Sequence, residues 1–171
     1  MSQPKPQQVA KEMWKATSLA LLKDDEVDSI YARLAGLAVP LDDDPLAYGP
    51  KRLQEKTAHC RKFLSETERL FLDVSHRLHK LKRNLRAAAA ALELSTKYLY
   101  ATDPEVRAGR NIADRDAFAA IKLKDEWMHR HALEQQVLDM EAVMLVIKAK
   151  RSDLRDTQGR IRDQVQLCGQ E

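Results

Sequence analysis

The densest group of reactive side chains in this chain of 171 residues is the basic run between His76 and Arg86, which reads His-Arg-Leu-His-Lys-Leu-Lys-Arg-Asn-Leu-Arg. No aspartate or glutamate occurs from Val74 to Leu92. Lysine and arginine side chains beside a nucleic-acid backbone release the counterions of its phosphates, and this release favours binding. The run therefore predicts a phosphate-binding surface. The alternative is a solvated helix face whose charges are balanced by glutamates of a neighbouring helix.

Aromatic and basic residues at the end of the same segment extend this prediction, because bases stack on aromatic rings while cations pair with phosphates. A purely structural role, in which Tyr98 and Tyr100 close the end of a helix, is the alternative. Arg130 is expected to lie at the level of the basic run on the following helix. The residues assigned to nucleic-acid binding are Arg77, Lys80, Lys82, Arg83, Arg86, Lys97, Tyr98, Tyr100 and Arg130.

The sequence favours neither a metal site nor an enzyme. Four of the five histidines, His76, His79, His129 and His131, are expected at one level, but no carboxylate or thiol joins them at ligand spacing. All five glycines are isolated, so no phosphate-cradling loop occurs, and neither a paired-histidine zinc motif nor a serine nucleophile elbow is present. We therefore expect a protein without catalytic residues, metal or cofactor.

Two long helices are predicted to carry these residues. The segment between Pro50 and Asp103 contains neither proline nor glycine, and its apolar residues recur at a spacing of three and four from Leu53 to Leu99. A second proline-free segment runs from 113 to 168, and a cap at Asn111 predicts that its helix begins near Ile112. The predicted fold is all-α: residues 49–171 form a long antiparallel helical hairpin, similar to a coiled coil, with a loop near 102–112.

Residues 1–48 are predicted to form short amphipathic helices followed by an acidic linker that contains prolines. They are expected to pack on their own hairpin or on a neighbouring subunit, and we favour the neighbour slightly. Midway along the hairpin both helices are apolar almost all round, which predicts a surface for an oligomer or partner. This apolar girdle consists of Leu70, Phe71, Leu72, Val143, Leu145 and Val146.

Composition indicates a helical assembly, with 44% hydrophobic but only 5% aromatic residues and a net charge of +3. No stretch approaches the roughly 20 apolar residues of a membrane span. The first residues lack the apolar segment of a secretory signal, and Cys60 and Cys168 are out of register for a disulfide. We therefore expect a cytoplasmic protein that forms homo-oligomers and does not bind membranes.

Three local features between about residue 50 and residue 165 resemble the UvsY-like recombination mediators of phages. A basic helix ends in the tyrosine-rich segment 97–100, a helix start of the type Ala-Asp-Arg-Asp follows at 113–116, and a long helix turns basic at 146–151. The resemblance implies an ATP-independent, ring-forming oligomer in the host cytoplasm that binds single-stranded DNA, a recombinase and a single-strand binding protein.

Two hypotheses of function follow. The first is a non-enzymatic mediator that binds single-stranded DNA and helps to load a recombinase, although the residues alone do not distinguish DNA from RNA. The second is a helical adaptor or scaffold subunit of a larger assembly, phage-derived or not, that binds no nucleic acid and uses the apolar girdle to bind protein.

Overall fold

The computed structural model describes residues 6–18, 24–41 and 49–168, and the regular structure in these ranges is entirely α-helical. The all-α prediction is confirmed, and a long helix pairs with another. No helix among the described residues is both long and apolar enough to span a membrane. Most of the predicted acidic linker, residues 42–48, lies outside the described ranges. The helices are α1 Pro6–Ser18, α2 Asp24–Ala35, α3 Pro50–Thr102, α4 Pro104–Ala108, α5 Ile112–Lys122 and α6 Lys124–Cys168.

The helix α3 is continuous over 53 residues because nothing in its sequence interrupts the backbone hydrogen bonds. Every apolar-register position predicted from Leu53 to Leu99 is buried or half-buried, Thr57, Thr67 and Ser95 among them. Thr57 and Thr67 donate their hydroxyl hydrogen bonds to backbone carbonyls one turn earlier, which satisfies these polar groups inside the register.

The segment predicted as a loop contains the short helix α4. Asp103 caps it by accepting hydrogen bonds from the backbone N–H groups of Glu105 and Val106, at 3.0 and 3.2 Å. The predicted cap at Asn111 is present, since its side chain accepts from the N–H of Asp114 at 2.8 Å, and α5 begins at Ile112 as expected.

The sequence predicts one continuous second helix from Ile112. This prediction is wrong, because a turn at Leu123 separates α5 from α6. Leu123 has φ −106° and ψ 24°, outside the helical region. Its N–H still bonds to the carbonyl of Ala119 at 3.0 Å, and its carbonyl accepts from the N–H of Trp127 at 3.0 Å. Helical hydrogen bonding thus resumes at once, and no proline or glycine in the sequence marks the break.

The described residues divide into two compact units. The first unit contains α1 and residues 78–139. The second contains α2, the following residues to 41, residues 49–77 and residues 140–168. The continuous helices α3 and α6 each contribute to both units.

In the second unit, α2 packs on α3 of its own chain. Arg33 pairs with Glu66 at 3.5 Å, and Glu26 pairs with Arg77 at 3.0 Å. The apolar face of α2 is buried through Ile30 and Leu34, and Leu37, two residues after the helix, is also buried. This helix thus packs on α3 of its own chain, which is one of the two arrangements that the sequence allows.

The pairing of α3 with α6 in this unit runs in opposite chain directions. Leu53 and Cys60 form a buried cluster with Ile161, and further along α3 Glu68 pairs with Arg151 at 2.8 Å. Residue numbers on α6 thus fall as those on α3 rise. Burial raises the pKa of the Cys60 thiol, so this cysteine behaves as a small apolar side chain of the core.

The apolar girdle assigned to a partner surface is partly internal. Leu70 and Val143 are 2% and 0% exposed, so their assignment to an oligomer interface is wrong. Leu70 lies three residues after Thr67 and four before Val74, which places it beside the buried register, and the two ion pairs to α2 bracket it along α3. Phe71 is half-buried beneath the Arg151 guanidinium, whereas Leu72, Leu145 and Val146 remain exposed.

Candidate nucleic-acid interface

Three cations of the basic run lie exposed on α3, and the described part of the chain gives them no acidic partner. Lys80, Arg83 and Arg86, which we call the basic stripe, recur at intervals of three residues and so follow one another around successive turns. Among the described residues no carboxylate forms an ion pair with any of them. At 100° per residue they lie away from the buried positions Leu81 and Ala88. Lys82, also of the basic run, is half-buried.

Arg77 has a different environment from the basic stripe. Its guanidinium group lies in the second unit, where it pairs with Glu26 at 3.0 Å and with Asp73 at 3.2 Å. Glu26 lies 51 positions earlier in the chain, so the acid-free stretch of sequence around Arg77 concealed this partner. The structure gives Arg77 the role of tethering α2 to α3, and its charge is already balanced by its own chain.

The two tyrosines near the end of α3 have different surroundings. The ring of Tyr98 is half-buried and lines a small cavity of about 120 Å³ with Trp14 of α1 and Leu123, an environment that fits the structural alternative. Tyr100 donates its hydroxyl hydrogen bond to Asp116 of α5. This hydrogen bond raises the pKa of Tyr100 and keeps the phenol neutral, while it fixes the ring near the end of α3.

Arg130 lies beside an aromatic ring of its own helix. Its guanidinium carbon lies 5.3 Å from the centroid of the Trp127 ring, a cation–π distance, and its Nη2 pairs with Glu134 at 2.6 Å. Trp127 and Arg130 line a groove of about 450 Å³ between α3 and the start of α6, which we call the aromatic groove. It is lined by Ala89, Leu92, Glu93, Thr96, Lys97, Tyr100, Trp127 and Arg130.

The aromatic groove brings together three predicted site residues, Lys97, Tyr100 and Arg130, and adds Trp127, which the sequence analysis missed. Trp127 is 45% exposed, and in the sequence it stands out only as a tryptophan three residues before an arginine. Lys97 pairs with Glu93 at 2.6 Å, and this hydrogen bond lowers the pKa of the Glu93 carboxyl. The groove therefore contains two cations, one carboxylate and two aromatic rings in one place.

Among the described residues, the histidines are not grouped with other possible metal ligands. No group of three or more histidine, cysteine, aspartate or glutamate side chains in the described ranges could hold a metal ion. His129 instead contacts α1: its ring lies 5.6 Å from that of Trp14 in an edge-to-face arrangement, and its Nε2 lies 3.1 Å from the hydroxyl of Thr17. Thr17 is buried and donates to the Trp14 carbonyl at 3.0 Å, so α1 is held to α6 at this point.

We expect the contact between α1 and α6 to weaken in acid. Burial lowers the pKa of His129 from its ordinary value of 6.5, so the folded chain binds fewer protons than the unfolded chain below that pH. The stabilisation is complete above pH 6.5 and is lost as the pH falls from 6.5 towards the lowered pKa. Emission of Trp14, measured against pH in a Trp127→Phe background, would report the release of α1.

The matched control for this titration is His129→Gln, which keeps a hydrogen-bonding group opposite Thr17 but does not titrate. The flanking cleft of α1 and α6 also contains the carboxylates of Glu12, Asp125 and Glu126, which are the same in both variants. The difference between the two titrations therefore isolates His129. Identical profiles between pH 7 and 5 would show that His129 does not hold α1.

The chemistry of the interface follows from its side chains. Exposed cations without acidic partners attract phosphates, and an aromatic groove beside cations accommodates flat, unsaturated rings. The chain matches no protein-family model, no curated protein and no solved structure.

Proposed function

We propose that this is a non-enzymatic protein that binds single-stranded nucleic acid and that the basic stripe holds the phosphates. The observation that carries the proposal is that Lys80, Arg83 and Arg86 are exposed and, among the described residues, have no ion-pair partner, on a helix segment that contains no acid from Val74 to Leu92. A solvated face balanced by a neighbouring helix would place carboxylates beside these cations. Such pairs exist elsewhere in the described residues, at Arg77 and at Arg151, but not here.

The single-stranded form is favoured by an aromatic ring on the same helix. Tyr100 and Lys97 line the aromatic groove, and a nucleotide can stack its base only when the base is not paired within a duplex. Regular double helices would present the phosphates to the basic stripe but would leave the groove unused.

A role as recombination mediator deepens this proposal and is supported by the resemblance of the local sequence. In that role the protein acts in the cytoplasm and hands single-stranded DNA to a recombinase or receives it from a single-strand binding protein. We further propose that α3 and α6 form an antiparallel, coiled-coil-like hairpin and that the protein is a homo-oligomer. Leu72 and Leu145, which are 67% and 66% exposed, supply the apolar surface for assembly.

The same exposed leucines favour a second candidate function, that of a helical adaptor or scaffold subunit without nucleic-acid binding. Large exposed apolar side chains mark protein interaction sites on many soluble proteins. In this alternative Leu72 and Leu145 bind another protein, and the basic stripe is only solvated.

A salt series separates the two functions. Binding of a labelled single-stranded oligonucleotide, followed by fluorescence anisotropy, is expected to weaken steeply with salt. Three phosphate contacts would give a slope of about −2 in a plot of log affinity against log salt concentration. The oligomer mass should be determined on the same sample. Absence of binding at about 50 mM salt by a folded protein would overturn the proposal and favour the adaptor.

A further inference from the structure

We propose that the aromatic groove is a base-stacking subsite and that Trp127 is its platform. This inference rests on the proposed function and deepens it by assigning the bases and the phosphates of one strand to different surfaces. The geometry that suggests it is an indole ring that is 45% exposed, with the Arg130 guanidinium 5.3 Å from its centroid and a second aromatic ring, Tyr100, in the same groove.

The groove is continuous with the basic stripe along one edge of α3. Four residues mark this edge at successive intervals of three, four and seven positions: Arg86, Ala89, Glu93 and Tyr100. At about 100° per residue, these intervals place all four within about 60° of one another around the helix. Ala89 lines the near end of the groove and lies only about 5 Å along the helix axis from Arg86. Its small, exposed side chain leaves room for a strand that passes from the stripe into the groove.

Electrostatics favour a base rather than a phosphate as the occupant of the groove. Both of its cations have acidic partners on their own helix, since Lys97 pairs with Glu93 and Arg130 pairs with Glu134, each at 2.6 Å. A phosphate would meet these carboxylates and be repelled, whereas a neutral base would not. The cations of the basic stripe pair with no carboxylate in the described ranges, so they remain the better phosphate site.

Two further contacts prepare the groove for stacking. The Tyr100 hydroxyl is held by Asp116, so its ring is already ordered before a ligand arrives. The guanidinium of Arg130 is planar and is held near the indole by its pair with Glu134, so it offers a second flat surface to a base. Preorganised aromatic and guanidinium groups reduce the entropy lost on binding.

Tryptophan fluorescence tests the inference directly because the chain contains two tryptophans, Trp14 and Trp127. The variant Trp14→Phe keeps an aromatic ring against His129 and leaves Trp127 as the reporter. Titration with an oligothymidylate is expected to quench its emission, with saturation at the same concentration as the anisotropy signal. Binding by anisotropy without any change in Trp127 emission would overturn the inference and leave the proposed function standing.

Affinity measurements give a second, independent readout. Trp127→Ala is expected to weaken binding of the oligothymidylate by about tenfold or more, with Trp127→Phe largely restoring it. The salt slope should stay unchanged, because no charge is removed. Binding of an abasic oligonucleotide of equal length should not respond to Trp127→Ala. Equal loss of affinity for both oligonucleotides would overturn the stacking role.

Met128→Ala is the matched control, because Met128 is the next residue of α6, is 61% exposed and does not line the groove. Its affinity should equal that of the native chain. Circular dichroism of each variant shows whether the helices are retained. If neither oligonucleotide binds the native chain at low salt, both the proposed function and the base-stacking subsite are overturned.

Discussion

Simultaneous replacement of Lys80, Arg83 and Arg86 by glutamine is expected to weaken the binding of single-stranded nucleic acid about a hundredfold at 0.1 M salt. Each contact between a cation and a phosphate contributes about 0.7 to the salt slope for single strands, so three contacts contribute about 2. A slope of 2 amounts to about a hundredfold between 1 M salt, where the effect is negligible, and 0.1 M salt. The slope of the variant should fall by the same amount.

The control removes the same charge from another exposed surface. Arg155, Arg160 and Arg162 of α6 are exposed, and their replacement by glutamine also takes the net charge from +3 to 0. If binding depended on overall charge alone, both triple variants would lose affinity equally. The basic stripe predicts a loss that is concentrated in the first variant, and equal losses would contradict it.

The helices of this protein could be predicted because their signals are local. The absence of proline and glycine after Pro50 and the recurrence of apolar residues determine where α3 can form and which face it buries. The cap at Asn111 is equally local, since its side chain binds the N–H of Asp114 only three positions later. Such features depend on neighbours within one or two turns, which the sequence displays directly.

The break at Leu123 and the burial of Leu70 and Val143 could not be predicted in the same way. No residue type marks the break, and helical hydrogen bonds continue on both sides of it. Periodicity shows which face of a helix is apolar, but it does not show how many other helices cover that face. In the second unit α2 packs beside α3 near Leu70, so the buried face is wider than a pair of helices would require.

The candidate site was predicted in part for the same physical reason. The cations of the basic stripe lie close together in the sequence, and the sequence also shows that no acidic residue lies near them between Val74 and Leu92. The partners of Arg77 and the proximity of Arg130 to the aromatic groove depend on contacts between segments that are far apart in the chain. Trp127 was missed because a single tryptophan on a helix is as compatible with a buried core as with an exposed ring, and only its 45% exposure decides between them.

Within α6, Val143→Asp is expected to lower the free energy of unfolding by at least about 3 kcal/mol, because it places a carboxylate in an apolar site without a partner. Val143 is 0% exposed, and no water can reach the new charge in the folded chain. Urea denaturation followed by circular dichroism at a fixed protein concentration measures this loss.

Leu145→Asp is the matched substitution two residues later. Leu145 is 66% exposed, so the change should alter the free energy of unfolding of the single chain by no more than about 0.5 kcal/mol. If Leu145 contributes to assembly, the same variant should have a lower oligomer mass at equal concentration, because the aspartate would have to lose its water at the interface. Equal free energies of unfolding for the two variants would show that Val143 is accessible to water, and Val143 would then belong to the predicted surface for an oligomer or partner. A large loss for Val143→Asp with a lower mass for Leu145→Asp would separate the residues that hold the chain together from those that join one chain to another.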